Sequence, residues 1–365
     1  MRKLRIFSTL VIITIFMVML VSCASRTETV TTEAPTTEAP TTEAPTTEAQ
    51  AAEETEAKEK FVVGYDIYWL GNAWSLQLSE EFKYAIDKEY PDIVEEVYYT
   101  SSDGDAVKQV SNFEDLVAKG CDIIFVTPQT PDNLIASIDD AMSKDIKVIV
   151  HSAAISSDNY TAYINVSDYD WGVKSAEFIA GAINGKGKVA MINGIAGSGA
   201  AKDTHDGAMS VFSEYPDITA LPEVYGEWDF SKTKIVMQDL LAAHPDIAAV
   251  WTFSEPRAVV EVYKDNNLPF VPIPWHGENG EMKLWKELKD KGLKAQVIVK
   301  PSTMSVDALH IGMAALKGEP FEKDTIIPCP VYTEDDIDKL ILPDLPDKIR
   351  VPTYLPEEKL KELFE

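Results

Sequence analysis

From residue 61 onward, short runs of β-branched and aromatic residues alternate with stretches whose apolar side chains recur at helical spacing. Strand patterns stand at 61–65, 94–99, 122–127, 147–150, 160–166, 188–192, 248–253 and 295–299, and helical patterns fill most of the gaps. The stretch 74–88, for example, puts Leu78, Phe82, Ala85 and Ile86 on one helical face. Alternation of this kind builds parallel sheets covered by helices on both faces, an α/β fold. Roughly 300 such residues exceed one comfortable core, so two lobes are expected.

An internal echo says that the lobes share one build. Tyr90-Pro-Asp-Ile93 precedes a strand, a polar turn, a helix and then the strand ending at Thr127; Tyr215-Pro-Asp-Ile218 precedes the same series, ending at Trp251. Duplication pairs positions across the halves: Thr127-Pro-Gln129 with Phe253-Ser-Glu255, and Ser101-Ser-Asp103 with Glu227-Trp-Asp229. Ligands of open parallel sheets sit at the C-terminal ends of the strands, so two facing lobes would bring both sets of loops to one cleft.

The head of the chain has a different character. Arg2, Lys3 and Arg5 precede an apolar run over 6–21 and the tetrapeptide Leu20-Val21-Ser22-Cys23. The order is that of a secretory signal over residues 1–22. The last four residues resemble a bacterial lipoprotein signal, in which the new N-terminal Cys23 carries acyl chains (palmitate). Residues 23–60 repeat Thr-Thr-Glu-Ala-Pro with almost no large apolar side chains, and read as a disordered, extended spacer. The net charge is −27, and removal of the three basic head residues takes the mature chain to −30. That surface repels nucleic acid and anionic lipid, so membrane attachment would come from the acyl chains.

Cys121 and Cys329 remain after lipidation, with no Cys-x-x-Cys. Cys121 reads as a buried small hydrophobe, and a disulfide between the two is not expected. His151, His205 and His276 lack local metal-ligand spacing, so neither a metal nor another cofactor is expected. Gly-x-Ser-x-Gly, His-Glu-x-x-His and P-loop signatures are missing from the sequence. Gly194-Ile-Ala-Gly-Ser-Gly199 lies between a strand and a helix, but without dinucleotide spacing it reads as a tight turn. A glycosidase pair among Asp66, Asp229 and Glu255 is the enzymatic alternative, a surface-anchored glycan hydrolase; the chain is read as a non-enzyme.

The strand ends hold an unusual share of the tryptophans: Trp69 and Trp74 after the first strand, Trp228 after the strand that follows Tyr215, and Trp275 at the end of 270–276. Among them lie Asp66, Asn72, Gln129, His151, Ser152, Asp229, Ser254, Glu255, His276, Asn279 and Lys300. Aromatic faces with many donors and acceptors suit a polyhydroxylated ring, whose C–H face is apolar and whose edge is all hydroxyl.

From 61 to about 332 the chain resembles the type I periplasmic sugar-binding proteins, the ribose- and galactose-binding solute receptors of ABC importers. The carrying stretches are Gly71-Asn-Ala-Trp74, Asn193-Gly-Ile-Ala-Gly-Ser-Gly-Ala-Ala201, Val236-Met-Gln-Asp-Leu-Leu-Ala-Ala-His-Pro-Asp246 and Leu316-Lys-Gly-Glu319. The resemblance implies two doubly wound lobes joined by a three-segment hinge near Val166, Lys300 and Ile327. It assigns 61–165 with 300–326 to the first lobe, and 166–299 with 327–365 (including the tail) to the second. It implies capture of a sugar or sugar-like ligand by hinge closure, delivery to an ABC permease, and a monomer anchored at the extracytoplasmic membrane face. The same receptor could serve a chemosensory or two-component sensor instead.

By resemblance, Asn72, Trp74, Trp228 and Trp275 fall on sugar-binding positions, with Ser254 at an asparagine position beside Glu255 and Lys300 at a glutamine position. His151-Ser152 stands where Asp-Arg is common, Thr204 with His205 where an arginine is expected, and His276 at an aspartate position. These departures lead to the expectation of a modified or acidic sugar, or another small polar anion.

Overall fold

The computed structural model of the chain describes residues 60–364. The expected signal, Cys23 and the expected spacer as far as residue 59 lie outside the described residues.

The chain first runs β1 (Phe61–Ile67), α1 (Ala73–Glu89), β2 (Val94–Ser101), α2 (Ala106–Ala118), β3 (Ile123–Thr127), α3 (Ile135–Ser143), β4 (Lys147–His151) and β5 (Ala162–Val166). It crosses to a second set: α4 (Asp168–Ala182), β6 (Lys186–Asn193), α5 (Gly199–Phe212), β7 (Asp217–Ala220), β8 (Val224–Tyr225), α6 (Phe230–Ala243), β9 (Ile247–Thr252), α7 (Pro256–Asp265), β10 (Ile273–Trp275), α8 (Asn279–Leu288) and β11 (Ala295–Ile298). It returns as α9 (Met304–Lys317) and β12 (Asp324–Ile327), then leaves again as β13 (Val331–Tyr332), α10 (Ile337–Leu340) and α11 (Glu357–Phe364).

The first lobe is one parallel sheet in the order β12-β5-β4-β3-β1-β2. In the second lobe β7 and β8 share one edge of β6, β9 takes the other, and β10, β11 and β13 continue the layer. Val250 N donates to Pro272 O at 3.1 Å where β9 meets the segment entering β10. The two orders correspond strand for strand, except that β13 runs antiparallel to β11 whereas β12 runs parallel to β5. The fold is thus two similar doubly wound lobes, the arrangement that the alternating sequence predicts.

Burial follows the layers. Phe113, Leu116, Ile124, Val126 and Ile138 pack under α2 and α3 on the outer face of the first sheet. Met237, Tyr263, Trp275 and Trp285 do the same under α6, α7 and α8. A third cluster runs from Phe82 and Phe125 through Trp171 to Trp251, so apolar packing is continuous across the crossings. Helices α4 and α5 cross backbone to backbone: a Cβ on Gly207 would lie 2.1 Å from Tyr169 O. Cys121 and Cys329 are both buried free thiols.

The duplication extends to the turns, at a register two residues from the one read in the sequence. Asp105 caps α2 and Asp229 caps α6, each with a side-chain oxygen accepting first-turn N–H groups. Left-handed pairs precede both caps, Asp103 and Gly104 (φ 55° and 84°) in one lobe, Glu227 and Trp228 (φ 56° and 52°) in the other. Asp103 therefore corresponds to Glu227, and each forms an ion pair with a lysine five residues on, Lys108 and Lys232.

The tail belongs to both lobes rather than to the second alone. Asn279 N donates to Ile349 O (2.8 Å) and Val351 N to Gly277 O (2.9 Å), lacing it to the start of α8. On the other side Glu81 of α1 accepts from Tyr354 N (3.0 Å) and Thr353 Oγ1 (2.9 Å). Leu345, Ile349, Leu355 and Leu360 close over Tyr84 of the same helix.

Candidate functional site

A cavity between the lobes encloses about 780 Å³ of empty space, its open mouth included. Its wall combines loops at the C-terminal strand ends of both lobes, the start of α5, and one residue of the tail. Nine expected residues reach it: Asn72, Trp74, Gln129, Ser152, Trp228, Ser254, Glu255, His276 and Lys300.

Two indoles are fixed by their ring N–H groups. Trp74 Nε1 donates to Lys300 O at 2.8 Å, and Trp228 Nε1 to Phe253 O at 2.7 Å. Each bond pins a ring to the end of a strand, leaving its surface for the cavity. Trp228 has a left-handed backbone (φ 52°), a costly conformation for a bulky residue that persists only where neighbours impose it. Its backbone N–H donates to Ser254 Oγ (3.1 Å), which also bonds Thr233 Oγ1 (2.8 Å). Gly194 makes room beneath it, since a Cβ there would lie 2.2 Å from the indole. The glycine-rich segment therefore seats a tryptophan, while its end, Ser198 to Ala200, lines the cavity at the start of α5.

Asn72 caps α1 by accepting from Ser75 N at 2.8 Å, which leaves its amide N–H groups free of that bond. Gln129 N donates to Gln109 Oε1 (2.8 Å), while Gln129 Oε1 is buried without a partner. Ser152 is also left-handed (φ 64°), and its hydroxyl lies 2.9 Å from His151 Nδ1. His276 stacks on Trp171 with centroids 5.0 Å apart, and its Nε2 lies 3.2 Å from Thr252 O. Burial pushes His276 down to about 3, helped by the Arg350 charge, so the ring is neutral at physiological pH.

The charges are largely spoken for. Lys300 Nζ contacts both Asp168 oxygens at 2.8 and 2.9 Å and stands 5.6 Å over the Trp74 ring. Arg350 Nη2 lies 3.1 Å from Glu278 Oε1. Burial, then the Glu278 carboxylate, pushes the Glu255 carboxyl upward. The expectation of an anionic ligand is not supported by this arrangement, because both cavity cations already hold carboxylates.

Five expected residues are placed elsewhere. Asp66 lies inside the first sheet, accepting from Thr100 Oγ1 (2.6 Å) and Gln109 Nε2 (2.8 Å); burial pushes it up to about 6. It braces Gln109, which in turn holds the Gln129 backbone. His151 is fully buried behind Ser152, and burial lowers it to about 3. Thr204 is at the α4–α5 crossing, its hydroxyl donating to Ala200 O at 2.9 Å. His205 points to Glu223, 2.8 Å away. Only the first residues of α5 meet the cavity, and both lie a turn beyond them. Trp275 packs in the second lobe's outer core with Ile273, because alternate residues of a strand face opposite sides; its neighbour His276 faces the cavity.

Of the three acids weighed as a glycosidase pair, only Glu255 reaches the cavity, since Asp66 is enclosed and Asp229 caps α6. The three histidines do not converge, and among the described residues no group of histidine, cysteine or acid side chains is placed to hold a metal.

Tyr68, Pro128, Thr130, Pro131, Phe253 and Arg350 also line the cavity and were not among the expected site residues. Tyr68 and Phe253 adjoin expected positions. Arg350 had one signal: it and Arg257 are the only arginines after residue 26.

Comparison with known proteins gives the family. A model of the periplasmic binding protein domain matches residues 49–320. The ribose import binding protein of Bacillus subtilis is 23% identical over 279 residues, 76% of this chain and 88% of that one. Among solved structures, an ABC transporter solute binding protein from Thermobispora bispora superposes with a TM-score of 0.73 at 21% identity, covering 83% of this chain and 94% of that one. The fructose-binding periplasmic domain of a hybrid two-component system reaches 0.68 at 23% identity, covering 77% and 93%.

Proposed function

The chain belongs to the periplasmic binding protein family, and from that premise we propose that it is an extracytoplasmic receptor which captures a sugar or sugar-like ligand by hinge closure and delivers it to an ABC importer. The observation that carries the reading is the cavity wall itself, with Trp74 from one lobe and Trp228 from the other, both pinned through their N–H groups and interleaved with polar groups whose two cations are already paired. Such a wall matches the apolar face and hydroxylated edge of a sugar ring. The similarity to the ribose import binding protein supports the same class of ligand.

Lobes built from 61–165 with 300–326, and from 166–299 with the following strand, would swing about the three crossings, as hinge-closing receptors do. A ligand with higher affinity for the closed form holds it. Lipid attachment at Cys23 and the Thr-Glu-Ala-Pro spacer would keep the receptor at the outer membrane face, monomeric, within reach of a permease. Calorimetry of the full chain against D-ribose, D-allose, xylitol, D-galactose and D-galacturonate tests the reading. Saturable binding of a neutral member is expected, with the ligand recovered unchanged. No binding in the panel, or chemical conversion of a ligand, overturns it.

The likeness to a two-component sensor domain keeps a second use of the same capture in view, reporting the sugar to a kinase. Loss of sugar uptake on deletion of this chain, with intact transcriptional response to the sugar, separates import from sensing.

A further inference from the structure

Arg350 lies outside the segment that matches the family, residues 49–320, yet its side chain closes one wall of the cavity. The residue is 8% exposed. Its Nη2 is engaged with Glu278, but its Nε is buried with no hydrogen-bond partner. A buried guanidinium N–H left unpaired is costly, and at a cavity wall a bound group that accepts from it removes that cost.

The position of Arg350 is built. Gln77 of α1 clamps the residue's peptide from both sides, accepting from Arg350 N at 2.8 Å and donating to Arg350 O at 3.0 Å. An antiparallel bridge to Glu278 holds the opposite edge, and Glu278 also aligns the side chain. The tail is thereby fastened to α1 of the first lobe and to the start of α8 in the second, with the guanidinium facing the space between.

Gln129, which also lines the cavity, has its Oε1 buried without a partner, an acceptor from the first lobe. An orphan donor and an orphan acceptor in one cavity call for a ligand that both accepts and donates. A hydroxyl does both; a carboxylate only accepts, and both cavity cations are already paired.

We propose that Arg350 is a ligand-contacting, specificity-determining residue, that its Nε–H donates to a hydroxyl oxygen of a neutral polyhydroxylated ligand, and that the C-terminal tail is therefore part of the binding site. The inference rests on the sugar-receptor reading above and adds to it the neutrality of the ligand and the residue that selects it. Arg350→Lys keeps the charge beside Glu278 but loses the fixed fork, whereas Arg350→Met with Glu278→Gln removes both charges together. Neither change touches the Gln77 clamp, which bonds only the backbone.

The test measures calorimetric affinities of the full-length wild type and of these variants for the neutral sugar that binds, for its mono-deoxy analogues, and for D-galacturonate. Each variant is expected to bind the sugar about ten- to a hundred-fold more weakly. One deoxy analogue should lose affinity for the wild type but suffer little further loss in the variants, the coupling that marks a direct contact; a merely structural effect would weaken every analogue alike. D-Galacturonate should not bind the wild type. Unchanged affinity in both variants, uniform loss without coupling, or tight binding of the acid overturns the proposal while leaving the receptor reading standing. Failure of the wild type to bind any sugar overturns both.

Discussion

Trp69, in the loop after β1, and Trp228, in the loop before α6, stand with ring centroids 6.1 Å apart and planes 34° apart, bringing the two lobes into aromatic contact. Both rings rest over glycines: a Cβ on Gly71 would lie 2.0 Å from the Trp69 ring, and one on Gly194 2.2 Å from Trp228. A contact between lobes exists only while they are closed, so it favours that state whether or not it touches ligand. Aromatic pairs of this geometry contribute about 0.5–1.5 kcal/mol beyond their area. Trp69→Ala should therefore weaken ligand binding roughly two- to ten-fold by shifting the lobes toward the open form. X-ray scattering of the unliganded variant should show a larger radius of gyration than the wild type. An unchanged radius together with unchanged affinity would show that the pair does not bias closure.

Trp74 and Trp228 present the aromatic faces of the cavity, and truncation of either removes a buried anchor. Trp74→Ala or Trp228→Ala should each cost about 2 kcal/mol or more of binding, roughly thirty-fold in affinity. Gly194→Ala makes a second route to the same end, since it displaces the Trp228 ring without deleting it. Titration of the bound sugar against all three variants checks the assignment, and wild-type affinity in both alanine variants of tryptophan would move the ligand away from these rings.

The parts of this molecule that obey a period were legible in its sequence. Strands such as Ile123–Thr127 advertise themselves by continuous apolar runs, and helix α1 by its face of Leu78, Phe82, Ala85 and Ile86. The placing of Trp74 at the start of α1, and of Gln129 and Ser254 in loops, followed from where parallel strands end. What was missed depends on geometry that residue identity does not express. The choice between Trp275 and His276 rests on strand parity at the last residue of β10, and Thr204 and His205 depend on how many turns of α5 the cavity reaches. The match between halves slipped by two residues because it is fixed by left-handed backbone at Asp103 and Glu227. Arg350 arrives from a tail with no strand or helix period to place it.

His151 gives the molecule an acid limit. Burial lowers it from 6.5 to about 3, so between those values the unfolded chain binds a proton that the folded chain refuses. The stability it contributes is whole above about pH 6.5 and is lost as pH falls toward 3, by up to about 1.4 kcal/mol per pH unit. Asp66, held up to about 6 by burial, acts in the opposite direction over its own range, but equally in wild type and variant. His151→Asn removes the titration, so its drop in urea-unfolding free energy between pH 7 and pH 5 should be smaller than the wild type's by about 2 kcal/mol. Parallel pH profiles for the two proteins would mean that His151 takes up its proton without unfolding cost.

Gln77 joins three parts of the chain at one amide. Its Nε2 lies within hydrogen-bonding distance of Glu81 Oε1 (2.9 Å), Ser302 Oγ (3.2 Å) and Arg350 O (3.0 Å), sharing two N–H groups among them, and its Oε1 accepts from Arg350 N. Helix α1, the second crossing and the tail are thus linked through a fully buried side chain. Gln77→Ala leaves both polar groups of the Arg350 peptide unpaired in the interior, at a cost of about 2–4 kcal/mol. The tail should loosen before the lobes do, because the apolar cluster of Leu345, Ile349, Leu355 and Leu360 is small beside the two main cores. Limited trypsin digestion reads this directly, for Lys348 and Arg350 lie in the laced segment. Early cleavage at those two residues in the variant, with the lobes still intact, is the expected pattern. Cleavage no faster than in the wild type would mean that the apolar cluster and the strand-like bonds to Gly277 and Asn279 suffice to hold the tail, and that Gln77 serves α1 and the crossing alone.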